Sequence, residues 1–115
     1  MLETRNKADF IIRILDDKQG VDIHLLNIRE VSVLADYFVI CSGSSSRMVK
    51  ALMNEVLYEV KKEFNQNPRV EGEPLSGWML ADFGDVIVHI FSPNQREHYS
   101  LEELWVEAKT ILRLQ

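Results

Sequence analysis

Phosphate chemistry has one opening in this sequence, the run Gly43-Ser44-Ser45-Ser46 between an apolar strand pattern and a helical one. Backbone amides at such a junction can hold a phosphate. The residues around it do not complete a nucleotide site. Arg47 and Met48 follow the serines, where a phosphate-binding loop would carry its lysine. Nucleotide transfer also needs closely spaced carboxylates to hold Mg²⁺. Asp82 and Asp85 are three apart across the turn end of a hairpin and should not converge on one ion. Asp16 and Asp17 are adjacent on a helix and point about 100° apart. There is no Gly-x-Ser-x-Gly elbow. Each histidine is isolated, and His24 has no Cys or His neighbour at metal-ligand spacing. A diagonal contact between His89 and Asp82 would still lack a nucleophile. The single cysteine, Cys41, lies in an apolar run and reads as a small buried hydrophobe. No catalytic residues, metal or cofactor are therefore expected. The alternative is a nucleotide-handling enzyme at the Gly43-Ser44 turn, which Mg²⁺-dependent turnover would reveal.

The stretch that organises the chain is Ser76 to Phe91. It reads as two strands joined at Gly84-Asp85, with glycine at the first central position of a two-residue turn. That turn fixes a register in which Phe83 meets Val86, Ala81 meets Val88 and Met79 meets Ile90. On the opposite face Asp82 meets Ile87, Leu80 meets His89 and Trp78 meets Phe91, because side chains alternate. The first face is apolar and suits packing against helices. The second mixes aromatic and aliphatic residues with Asp82 and His89, the composition of a protein-binding surface. A simpler possibility is that a loop or helix covers it.

The remaining elements frame this hairpin. Residues 2–18 carry Ala8, Ile11, Ile12 and Leu15 at helical spacing, with Gly20 as the stop. Val21 to Ile28 alternates as a strand. Tyr37 to Ser42 is apolar on both faces and belongs in the middle of a sheet. A serine caps the longest helix, whose apolar stripe runs from Val49 to Phe64 and which ends near Asn65 to Asn67, before Pro68. Arg69 to Glu71 forms a short strand. A turn or ordered loop at Arg96 to Tyr99 precedes the capping box Ser100-Leu101-Glu102-Glu103, which opens a last helix with Leu104, Trp105, Ala108, Ile111 and Leu112 on its apolar face. The order predicts a single α/β domain over residues 1–115. Its mixed sheet would carry helices mainly on one face and leave the other partly open.

A chain of 115 residues buries enough surface for one core. Its net charge of −5 argues against a general nucleic-acid binder. Any basic patch must be local, since no Lys/Arg run exceeds Lys61-Lys62. No apolar run approaches the ~20 residues of a membrane span, and the N-terminus lacks a signal segment, so a cytoplasmic location is expected.

Several of these pieces together resemble the Iojap family of ribosomal silencing factors. They are ADYFVICSG from Ala35 to Gly43, the Glu71-Gly72 turn, W-x-L-x-D-x-G-D-V-I-V-H-I-F from Trp78 to Phe91, and Arg96, Tyr99, Leu101, Glu102, Leu104 and Trp105. The resemblance implies a nucleotidyltransferase-like topology (helix-strand-strand-helix-strand-strand-strand-helix) without that fold's metal site. It also implies a non-enzymatic translational repressor, commonly a homodimer. Such a factor binds ribosomal protein L-fourteen on the large subunit and blocks joining of the small subunit when nutrients are short. Trp78, Leu80, Asp82 and His89, with Tyr99 nearby, are the expected contact residues. Minor contacts to ribosomal RNA are compatible with this; DNA and membranes are not expected partners.

Overall fold

The computed structural model describes residues 2–30, 33, 35–95 and 109–114. Helix α1 (Leu2–Asp17) leads into β1 (Val21–Asn27) and β2 (Tyr37–Ser42). Helix α2 (Ser46–Phe64), edge strand β3 (Arg69–Glu73), a 3₁₀ turn (Pro74–Ser76), β4 (Trp78–Asp82), β5 (Val86–Phe91) and β6 (Lys109–Leu114) follow. The strands form one mixed sheet in the order β3-β4-β5-β2-β1-β6. Among the described strands only β2 and β5 run parallel, and every other neighbouring pair is antiparallel. The two β2–β5 strands at the centre are buried along their whole length, as expected for strands apolar on both faces.

Local chemistry explains the helix ends. The Ser45 hydroxyl accepts the Met48 amide at 3.1 Å and starts α2, and Asn65 ends it in a left-handed conformation at φ 56°. In α1 the left-handed residue is Gln19, at φ 68°, one position before the glycine expected to stop the helix. The Gly20 amide then reaches back to the Leu15 carbonyl at 2.7 Å.

The hairpin register is the one the turn dictates. Trp78 pairs with Phe91, Leu80 with His89 and Asp82 with Ile87, and Gly84 holds φ at 91°. Met79, Ala81, Phe83, Val86, Val88 and Ile90 pack with Ala8, Ile11, Leu15, Val49, Leu52 and Val56 beneath the two helices.

Two expectations need correction. Lys109–Leu114 is a strand paired with β1, not the end of a helix, so Ile111 and Leu112 leave the helical pattern. A short apolar run with β-branched Thr110 and Ile111 is ambiguous from periodicity alone, and a free sheet edge at β1 decides it. The second sheet face is also more buried than an open face. Leu26, Ile28, Ala35, Phe38, Ile40, Ile87 and Phe91 form a second apolar cluster there, flanked by half-buried Trp78 and Leu80. The turn at Arg96 to Tyr99 and the capping box at Ser100 lie outside the described residues, as does the helix they were expected to open up to Ala108.

Candidate partner-binding surface

Strands β4 and β5 bring four of the five expected contact residues onto one sheet face. Trp78, Leu80 and Asp82 follow one another along β4 with alternate side chains on the same side, and His89 lies opposite Leu80 on β5. Tyr99 lies outside the described residues. Trp78, Leu80 and Asp82 are half-buried, whereas His89 is only 4% exposed.

His89 is set in an aromatic layer. Its ring lies 4.7 Å from Phe38, edge to face, and 6.0 Å from the stacked Trp78 ring. Trp78 also stacks on Phe91 at 5.3 Å with the planes 17° apart. The Trp78 Nε1–H donates to His89 Nδ1 at 3.3 Å, which places the proton of the neutral ring on Nε2. Burial lowers the His89 pKa to about 4, against a smaller opposing pull from Asp82. The ring is thus neutral at pH 7, and its buried Nε2 has no hydrogen-bond partner among the described residues. His89 therefore underlies the Trp78 indole and holds it at a set angle.

Glycine is needed beside this layer. Gly72 in β3 has φ 88°, and a Cβ there would overlap the Trp78 carbonyl oxygen. The close approach shapes a shallow hollow of about 190 Å³ lined by Glu71, Gly72, Ser76, Trp78 and Leu80. Asp82 follows Leu80 along the same face of β4. It accepts the Gly84 amide at 2.8 Å and lies 3.5 Å from the Arg69 guanidinium. The surface thus offers a fixed indole, an aliphatic side chain and a carboxylate in a row.

The Gly43-Ser44 junction is differently employed. The Gly43 amide donates to the Phe91 carbonyl at 2.8 Å, and Ser45 caps α2 through its side chain and its carbonyl. Asp82 and Asp85 diverge, as the hairpin requires. Among the described residues no group of three or more metal-ligating side chains comes together, and no helix there is long and apolar enough to cross a membrane. His24 is taken up by Asp22, 3.0 Å away.

One polar cluster was not found by reading the sequence. Asp85 turns under α1, where Thr4 Oγ1 donates to its Oδ2 at 2.9 Å and Lys7 Nζ lies 2.7 Å from its Oδ1. Lys7, only 3% exposed, also donates to Gln66 Oε1 at 2.7 Å. Burial raises the Asp85 pKa, but the bonds from Lys7 and Thr4 more than offset that and hold it below the ordinary carboxylate value. The available signal was spacing, because Thr4 and Lys7 continue the apolar stripe of Ile11 and Ile14 toward the start of α1.

Comparison with known proteins shows the family to which the chain belongs. The family described as "Ribosomal silencing factor during starvation" matches residues 2–115. A ribosomal silencing factor from Bacillus subtilis is 40% identical over 93 residues, covering 81% of this chain and 79% of that protein. A mouse protein named for mitochondrial assembly of the ribosomal large subunit is 30% identical, covering 84% of this chain and 44% of its own length. A crystal structure of a Chromobacterium violaceum protein superposes with a TM-score of 0.83 at 34% identity, covering 88% of this chain and 84% of that one. The α/β fold is shared with that solved structure, and this chain belongs to the ribosomal silencing factor family.

Proposed function

We propose that this protein represses translation by binding the large ribosomal subunit through ribosomal protein L-fourteen, so that its bulk prevents the small subunit from joining. It acts by occupying a surface and is not an enzyme. The family match over residues 2–115 carries this reading. The row Trp78, Leu80 and Asp82 supplies the contact, with Trp78 as its anchor, because a rigid, partly buried aromatic side chain concentrates binding energy. Asp82 meets a basic group of the partner and speeds encounter. His89 acts from beneath by holding the indole, and Tyr99 completes the contact. The free protein is a homodimer in the cytoplasm, which sedimentation velocity of the purified protein checks.

The test is co-sedimentation with salt-washed large subunits, before and after adding small subunits. The protein should travel with the large subunit and reduce joined ribosomes. Trp78→Ala should abolish both effects in a protein that still unfolds cooperatively, at a melting temperature lowered by the lost stacking on Phe91 and bond to His89. A protein that stays at the top of the gradient at moderate salt overturns the reading.

A further inference from the structure

Although the chain carries a net charge of −5, helix α2 gathers basic residues along its solvent face. Arg47, Lys50, Lys61 and Lys62 are all exposed there, with Asn54 and Tyr58 between them. At 3.6 residues per turn these six fall on one stripe, and Arg47 and Lys62 stand about 22 Å apart along the axis. The acidic residues of the same helix, Glu55, Glu59 and Glu63, lie on a flank centred about 130° away, with Glu55 bordering the Lys62 edge of the stripe. Glu55 and Glu59 on that flank line the groove against α1, and Glu55 pairs with Lys18 at 3.8 Å. None of the four stripe cations makes an ion pair among the described residues.

Helix stability does not account for all four. Lys61 and Lys62 suit the last turn, where cations offset the helix dipole. Arg47 is in the first turn, where the dipole opposes a cation, and no acidic residue shares that turn. Tyr58 is 62% exposed, with the Lys62 ammonium 5.9 Å from its ring centroid. Pro74 and exposed Leu75 border Arg47 and Lys50 at one end of the stripe, but lysines spread along the rest of the helix with one tyrosine make a poor protein interface, whose core is depleted in lysine. They suit a regularly charged backbone, since duplex RNA is gripped mainly through phosphates and 2′-hydroxyls.

We propose that the outer face of α2 is an RNA-backbone contact surface used on the ribosome, separate from the Trp78 face. This rests on the ribosome-binding reading and assigns it a second partner. Arg47, Lys50, Lys61 and Lys62 neutralise phosphates, and Asn54 and Tyr58 contact sugars between them.

The experiment has two arms. In the first, a labelled RNA duplex of roughly 20 base pairs is titrated with the protein from about 50 to about 200 mM KCl. Four phosphate contacts give a log–log slope of about −3.6, which is roughly a 150-fold loss of affinity across that range. Arg47→Gln, Lys50→Gln, Lys61→Gln and Lys62→Gln combined should flatten the slope toward zero, whereas Glu55→Gln with Glu59→Gln should not reduce it. In the second arm the same variants bind large subunits across the same salt series, and the fourfold variant should lose most of the slope. If the subunit slope is unchanged, the inference is overturned while ribosome binding stands. If the subunit slope falls but duplex RNA is not bound, the partner is an acidic protein surface and the inference is again overturned. Should the parent protein fail to bind subunits at all, the ribosome reading fails. The duplex arm then decides alone whether the stripe takes RNA.

Discussion

The β4–β5 hairpin buries one ionisable group at each end and treats the two in opposite ways. His89, near the Trp78 end, lies among Phe38, Phe91 and Trp78 with no salt bridge among the described residues, and burial outweighs the pull of Asp82, so it is neutral. Asp85, at the turn, is drawn under α1 and remains charged because Lys7 and Thr4 meet it. Burial alone discharges a group, whereas burial with an opposite charge and a hydroxyl keeps it ionised. The division has a structural use. The neutral histidine lets an aromatic layer form beneath a surface offered to a partner, and the charged aspartate ties the turn to α1. Asp85 also serves the sheet directly, because its carbonyl accepts the amides of Asp36 and Tyr37 at 2.8 and 3.2 Å.

The largest expected effect separates the two groups by pH. His89 titrates near pH 4 when folded and near its ordinary 6.5 when unfolded. Between those values the unfolded chain binds more protons, so stability is full above about pH 6.5 and falls with pH until about pH 4. Integrated over that window, the loss is about 3 kcal/mol. Asp85 has a lowered pKa as well, so its contribution is present above the ordinary carboxylate value and lost only as pH falls below it. Urea denaturation of the parent and of His89→Gln from pH 7 to pH 4 should show the slope in the parent alone. Asp85→Asn should lower stability by a constant amount across pH 7 to pH 4, leaving that slope, and should lack the parent's further loss at still lower pH. A parent with flat stability down to pH 4 breaks the contrast.

The second effect tests the tie at the turn. Asp85→Ala leaves the Lys7 ammonium buried without its carboxylate, a change that costs 3–5 kcal/mol for a fully buried pair. Asp85 keeps about a third of its side chain exposed, so the expected loss is nearer about 2 kcal/mol. Lys7→Met combined with Asp85→Ala removes both charges and should recover part of that loss. Equal stability for Asp85→Ala and the parent in chemical denaturation would show that the pair is not a structural tie.

How much of this was legible in the sequence follows from the range of each interaction. The hairpin register could be read because Gly84-Asp85 is a local turn and side chains then alternate without further freedom. The α2 boundaries could be read from Ser45 and from the proline beyond Asn65, which act within a few residues. The Asp85–Thr4 bond spans 81 positions, and no local signal points to it. The second apolar cluster needed the parallel pairing of β2 and β5, which places Phe38 and Ile40 beside Ile87 and His89. The basic stripe was hidden for another reason. Only Lys61 and Lys62 are adjacent in sequence, and Arg47 and Lys50 join them on one face only when α2 winds.

The smallest effect sharpens what His89 does for Trp78. Trp78→Phe removes the Nε1–H donor and leaves His89 Nδ1 buried without that bond, while a ring can still stack near Phe91. The expected cost is about 1 kcal/mol. In His89→Phe the acceptor is already absent, so adding Trp78→Phe should cost less than it does alone, and the double-mutant cycle should return a coupling of about 0.5–1 kcal/mol. Zero coupling would mean that the 3.3 Å contact contributes nothing and that the indole is held by stacking alone. Large-subunit binding of the same variants carries the comparison to function. If His89 acts only by positioning the indole, His89→Phe should weaken binding in the parent but not in Trp78→Phe, where no N–H is left to orient. An equal loss in both backgrounds would place the imidazole in contact with the partner itself.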